Sequence, residues 1–148
     1  MNFEECSEEK NNPKLVVEQT GRKFVILNPK RLSITKVVVD GCLIEDTRPR
    51  CDYLFEIGRQ CNCAVYLELK GHDLQRAFNQ LVATMGYLEA RHTGIDRICH
   101  IVASRVPRAG PKVQEMKVRM LKRQRALLLV GTHTVSIDVD KSPYRVTQ

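Results

Sequence analysis

Apolar and polar positions alternate along the chain in short runs, and two stretches keep a helical period. Phe24 to Leu27 is a brief apolar run bounded by Asn28-Pro29 and reads as a strand. Leu15 to Glu18 is a further short element, closed by Gly21. The β-branched run Ile34 to Ile44 is interrupted at Asp40-Gly41, a dipeptide that signals a turn or bulge. Two apolar strands follow between Arg50 and Gly71, joined by a polar turn around Gly58, Arg59 and Gln60. Residues 73–91 predict a helix: Asp73 is placed to cap it, and Leu74, Ala77, Phe78, Leu81, Met85 and Leu88 recur at the spacing of one buried face. Arg97 to Ser104 reads as a core strand. Strand, helix and strand in that order predict a crossover between parallel strands. Lys112 to Arg125 predicts a second helix, with Pro111 at its first position and Val113, Met116 and Met120 as its apolar stripe. Ala126 to Val130 and Thr134 to Val139 read as a closing hairpin around residues 131–133. Residues 1–13 are polar and acidic and fit either a frayed terminus or one short helix.

This alternation of strands and helices predicts an α/β chain forming a single domain over residues 1–148, with a core at about 34–104 and a C-terminal extension over 105–148. A chain of 148 residues is long enough to bury a substantial core. Its net charge of +7 suits a polyanionic partner, nucleic acid first, although solubility alone also accounts for a charge of this size. With no Trp and few aromatic residues, a base-stacking platform for single strands is disfavoured. The densest positive run lies between Arg105 and Arg125, where eight basic residues face one acid, Glu115. Lys112, Lys117, Arg119, Lys122 and Arg123 within it form either a phosphate-contact surface or the solvated side of an amphipathic helix.

The first residues are acidic rather than basic-then-apolar, and no apolar run is long enough to span a membrane. The expected location is therefore the cytoplasm, with no membrane partner and with the six cysteines reduced. Cys61 and Cys63 lack the wider spacing of zinc-binding pairs, so the thiols read as small buried hydrophobes. A structural zinc site from Cys42, Cys51, Cys61 and Cys63 is the alternative.

Candidate chemistry concentrates in the central pair of strands. Asp52 opens the first of them, and Glu68 and Lys70 close the second with Leu69 between. Side chains alternate faces on a strand, so Glu68 and Lys70 point one way and Leu69 the other. A hairpin brings the start of one strand beside the end of its partner, so two carboxylates and an ammonium are expected to converge at one edge of a sheet. Hard divalent cations favour such an oxygen-rich site. The competing account is an exposed ion pair at a strand end, worth little. Glu56 shares a face with Asp52 but reads as solvent-facing, and the four histidines fall at no ligand spacing.

Asp52, fifteen intervening residues and Glu68-Leu69-Lys70, set in strand, turn, strand, helix and strand, resemble the PD-(D/E)xK nuclease superfamily. The resemblance covers about half the chain. It departs from the usual signature in having Cys51-Asp52 where Pro-Asp is common. It implies a restriction-endonuclease-like core, with a mixed central sheet flanked by helices and followed here by the basic helix and hairpin. It also implies a metal-dependent nuclease that hydrolyses phosphodiester bonds, with DNA ahead of RNA as substrate and a homodimer or partner protein supplying specificity. By the same resemblance, Asp52, Glu68 and the Leu69 carbonyl would hold Mg2+, with Mn2+ able to substitute. Lys70 would orient the attacking water. Gln80, on the helix that follows, would support the site, with Gln75 competing for that role. Glu5 or Glu18 would be a further acid from the first residues. The alternative is the same fold kept as a non-catalytic nucleic-acid- or protein-binding module.

Overall fold

The computed structural model describes residues 3–69, 73–105, 111–140 and 145–147. A 3-10 turn at Glu4–Cys6 leads into β1 (Ser7–Lys10), β2 (Lys14–Gln19), β3 (Arg22–Leu27) and β4 (Ile34–Val38). The central hairpin is β5 (Tyr53–Ile57) and β6 (Cys63–Leu69). Next come α1 (Leu74–Tyr87), β7 (Asp96–Ala103), α2 (Pro111–Arg119), a π-helical turn (Met120–Gln124), β8 (Ala126–Thr132), β9 (Thr134–Asp138) and β10 (Arg145–Thr147).

The strands form a six-stranded sheet in the order β1-β4-β5-β6-β7-β8 and a four-stranded sheet in the order β10-β9-β3-β2. The larger sheet is mixed. β1, β4, β5 and β6 pair antiparallel, whereas β6, β7 and β8 run parallel. The β6–α1–β7 crossover follows the expectation from sequence. Asp73 caps α1, its carboxylate accepting from the Arg76 N–H at 3.0 Å.

β6 is buried on both faces, and its alternation divides the core. Ala64 and Tyr66 pack with Leu74, Ala77, Phe78, Leu81 and Met85 of α1, and with Val113, Met116 and Met120. Val65, Leu67 and Leu69 pack on the other side with Phe24, Ile26, Val135 and Ile137 of the smaller sheet. The architecture is therefore α/β, but α1 and α2 pack on the same face of the central sheet. The other face is covered by β-structure rather than by the helix that a flanked sheet would have. β2 and β3 account for this. Leu15, Val17, Phe24 and Ile26 give each an inward apolar set at period two, which a second sheet buries efficiently.

The closing hairpin expected from Ala126 to Val139 is not formed. β8 pairs parallel with β7, and β9 pairs parallel with β3 in the other sheet. His133 separates them in a left-handed conformation with φ of 59°. The turn is short, but each strand finds a better-buried neighbour than the other. Two further expectations change. Cys6 and Cys42 form a disulfide across 36 positions of sequence, so not all thiols are reduced. With Cys42 so engaged, the four-cysteine zinc site does not assemble. Among the described residues, no helix is long and apolar enough to cross a membrane.

Candidate functional site

The antiparallel register of β5 and β6 sets Tyr53 opposite Leu67. The regular ladder ends at that pair, with Asp52 just before β5 and Glu68 the next-to-last residue of β6. The Asp52 N–H donates to the Leu67 carbonyl at 3.1 Å, and the Leu69 N–H donates to Asp52 Oδ2 at 2.7 Å. Asp52 is 7 % exposed and Glu68 0 %. Both negative charges reach the buried Cys51 thiol: burial is the main force raising its pKa well above the usual value, the Thr84 hydroxyl opposes the rise, and Glu68 and Asp52 add to it. The Asp52 carboxylate thus reaches the Leu69 backbone, the residue after Glu68, at one end of the sheet. Lys70, the third member of the expected group, lies outside the described residues, as does His72.

A cavity of about 340 Å³ opens beside this segment. Asp40, Arg48, Arg50, Arg76, Asn79 and Gln80 are among its lining residues. Two of its walls are tied to Cys51 and Asp52. The Asp40 N–H donates to the Asp52 carbonyl at 3.3 Å. Thr84 accepts from the Cys51 N–H and donates to the Gln80 carbonyl, both at 2.9 Å. Arg50 is anchored by Asp40 at 2.8 Å and by the carbonyls of Asp46 and Arg48. Arg48 pairs with Asp46 and lies over the Tyr87 ring. Arg76 makes no ion pair among the described residues. Gln80 Oε1 is buried without a hydrogen-bond partner among the described residues, and such a group usually has one. Gln75 instead donates to its neighbour Asn79 at 3.0 Å. Sequence reading selected Gln80 but missed the arginines, because Arg48, Arg50 and Arg76 come from a loop and a helix that only the fold brings together.

The basic segment lies on the helical face of the sheet. Lys112, Lys122 and Arg123 are exposed, whereas Lys117 and Arg119 are half-buried. Arg119 stacks over the Phe78 ring of α1 at 5.7 Å, which makes it partly a packing residue. The run ends at Arg125, in the left-handed region with φ of 53°.

At the other end of the hairpin, Glu56 is 5 % exposed, and the expectation that it faces solvent is wrong. Arg91 grips it with two hydrogen bonds, Nε to Oε2 at 2.7 Å and Nη2 to Oε1 at 3.0 Å. His92 Nε2 lies 2.6 Å from Oε2, and His92 Nδ1 lies 2.5 Å from the Tyr66 hydroxyl. Burial opposes the ionisation of Glu56, but the bonds from His92 and Arg91 prevail and hold its pKa down to about 2. Periodicity could not have found this group, since Arg91 and His92 arrive from the turn after α1. His100, also buried, is held down to about 3 by desolvation and packs on Phe24.

The donors at the first site, the Asp52 and Glu68 carboxylates, are all oxygen, and that chemistry fits a hard divalent cation. No family model matches this chain, and no curated protein or solved structure matches it either.

Proposed function

We propose that the chain is a metal-dependent nuclease that hydrolyses phosphodiester bonds of nucleic acid, DNA ahead of RNA. The observation that supports this reading is the Asp52 carboxylate bound to the Leu69 N–H, beside Glu68 in sequence, at a sheet end linked through Asp40 and Thr84 to an arginine-lined cavity. Asp52 and Glu68 would hold Mg2+, with the Leu69 carbonyl within reach of the same site and Mn2+ able to substitute. When bound, the cation supplies charge neutralisation at the phosphate and a lowered pKa for a bound water.

The chain's own groups do the rest. The Leu69 N–H fixes one oxygen of Asp52 and so sets the direction of its carboxylate. Arg76 is the cavity's cation without an ion pair among the described residues, and it is suited to receive a phosphate flanking the scissile one. Gln80 offers an amide to the same substrate. Lys70 follows Glu68 by two residues and takes the role of orienting the water, as the resemblance implies. The exposed cations Lys112, Lys122 and Arg123 extend the contact along the backbone of a longer nucleic acid.

The test is cleavage of duplex, single-stranded and branched DNA and of RNA, with Mg2+ or Mn2+, by wild type and by Asp52→Asn and Lys70→Ala. Metal-dependent cutting by wild type that both variants lose is the expected result. If wild type cuts nothing yet binds nucleic acid, and both variants bind equally well, the nuclease reading fails and a non-catalytic binding module on this fold takes its place.

A further inference from the structure

The turn end of the β5–β6 hairpin holds a second constellation, unrelated to the paired acids. Glu56, Cys61 and His92 each present one ligand atom, and these atoms lie within 4.8 Å of one another. Glu56 and His92 are buried and Cys61 is half-buried. A thiolate, an imidazole and a carboxylate together form a borderline-soft donor set that suits Zn2+ or Co2+ far better than Mg2+. We propose that Glu56, Cys61 and His92 form a transition-metal site, with Zn2+ its natural occupant, that pins the β5–β6 turn to the turn following α1.

Three observations support it. First, Cys61 sits in the left-handed region with φ of 50°, the last position of a tight turn in which its N–H donates to Gly58. Glycine or asparagine is ordinary there, and a cysteine adopts that conformation at a cost. In that conformation the Cys61 thiol donates to the Cys63 carbonyl at 3.7 Å and lies within 4.8 Å of the Glu56 and His92 ligand atoms.

Second, the imidazole already has the outer partner that metal-binding histidines require. With Nε2 toward the site, Nδ1 lies 2.5 Å from the Tyr66 hydroxyl, which fixes the ring's orientation.

Third, Glu56 retains capacity despite Arg91. Each carboxylate oxygen has two acceptor positions. Arg91 uses one on Oε1 and one on Oε2, and the second position on Oε2 faces His92. In the metal-free chain the His92 Nε2–H fills it, since ionised Glu56 has no proton to share. On binding, the metal lies between Nε2 and Oε2, the Nε2 proton passes through solvent to Nδ1, toward the Tyr66 oxygen, and the ring stays neutral. The Cys61 thiol releases its proton to solvent and binds as thiolate. The Nε2–Oε2 separation of 2.6 Å must widen to about 3 Å for a metal with bonds of about 2.0–2.3 Å to enter. Burial and the Glu56 charge push the Cys61 thiol up to about 11, so without a metal it remains protonated.

The proposal does not depend on the nuclease reading, and its test does not involve Mg2+. Full-length protein with its Cys6–Cys42 bridge intact is stripped with chelator and titrated with Co2+. One equivalent should bind, with a thiolate-to-cobalt charge-transfer band that Zn2+ abolishes by displacement. Cys61→Ser should lose the band and bind at least about 100-fold more weakly, with its metal-free unfolding midpoint unchanged. Tyr66→Phe should keep the band and weaken binding by about 10-fold, the usual effect of losing an outer partner. A further readout needs no variant: Zn2+ should slow alkylation of Cys61, located by peptide mapping. No uptake of Co2+ or Zn2+, a band that survives Cys61→Ser, or alkylation of Cys61 indifferent to Zn2+ would each overturn the site and leave Glu56, His92 and Arg91 as a structural clamp.

Discussion

The β5–β6 hairpin carries a buried carboxylate pair at its open end and a single buried carboxylate at its turn, and the two are built on opposite principles. At the turn, Glu56 meets cations and donors of its own chain: Arg91 with two hydrogen bonds, and His92 backed by Tyr66. At the open end, Asp52 accepts from the Leu69 N–H beside Glu68, and Asp40 and Thr84 link that end to a cavity containing three arginines. The first arrangement makes its carboxylate permanently anionic by internal neutralisation. The second places two carboxylates near one end of the hairpin, which the proposed function uses to hold a cation. Burial is common to both ends, so burial assigns a role to neither. On the two proposals each end would hold a cation, a hard one at Asp52 and Glu68 and a softer one at Glu56.

The largest expected effect that would sharpen this contrast is at Glu68. Glu68→Gln keeps the shape and removes the charge, and it should lower Mg2+-dependent cleavage by at least about 1,000-fold, the scale of losing several kcal/mol of transition-state stabilisation. Turnover of a DNA substrate measures it, and cleavage within a few-fold of wild type would erase the distinction between the two ends.

The next effect is on stability. Glu56→Ala leaves His92 buried beside a vacated position and should cost about 3 kcal/mol, read as a lower midpoint in urea with an unchanged slope. The same group has a pH signature. Its folded pKa of about 2 lies below the ordinary value of 4.5, so its contribution is present above 4.5 and is lost as pH falls toward 2. Unfolding free energy of wild type should therefore fall over that window, and in Glu56→Gln the fall should be shallower. Equal slopes in the two proteins would break the account of the turn end.

The smallest effect concerns neither acid. Lys122→Ala with Arg123→Ala should weaken nucleic-acid binding and lower the slope of log affinity against log salt by about 2, with no dependence on Mg2+. An unchanged slope would make those residues only the solvated side of their helix.

Much of the fold was legible because period and caps are local. The apolar positions of α1, its Asp73 cap and the alternation in β6 are dictated within a few residues. So was the β5–β6 hairpin, since a short turn leaves little freedom of register. The partners of β8 and β9 were not legible. Adjacent strands joined by one residue look like a hairpin in sequence, and only competition for buried neighbours assigns them to different sheets. The Cys6–Cys42 bridge was hidden for the same reason, because the spacing of two cysteines does not reveal their distance in space.

The sequence by itself determined the central strands and α1 and which of their faces are apolar, but not β1, which lies where a frayed terminus or a short helix was expected. These follow from backbone geometry over a few neighbours and from the two-residue period of a strand. Tertiary structure alone decided that a second sheet covers the central one, that Arg48, Arg50 and Arg76 surround one cavity, and that Arg91 and His92 close over Glu56. Those outcomes depend on which distant surfaces bury each other best, and that is a property of the whole packed chain.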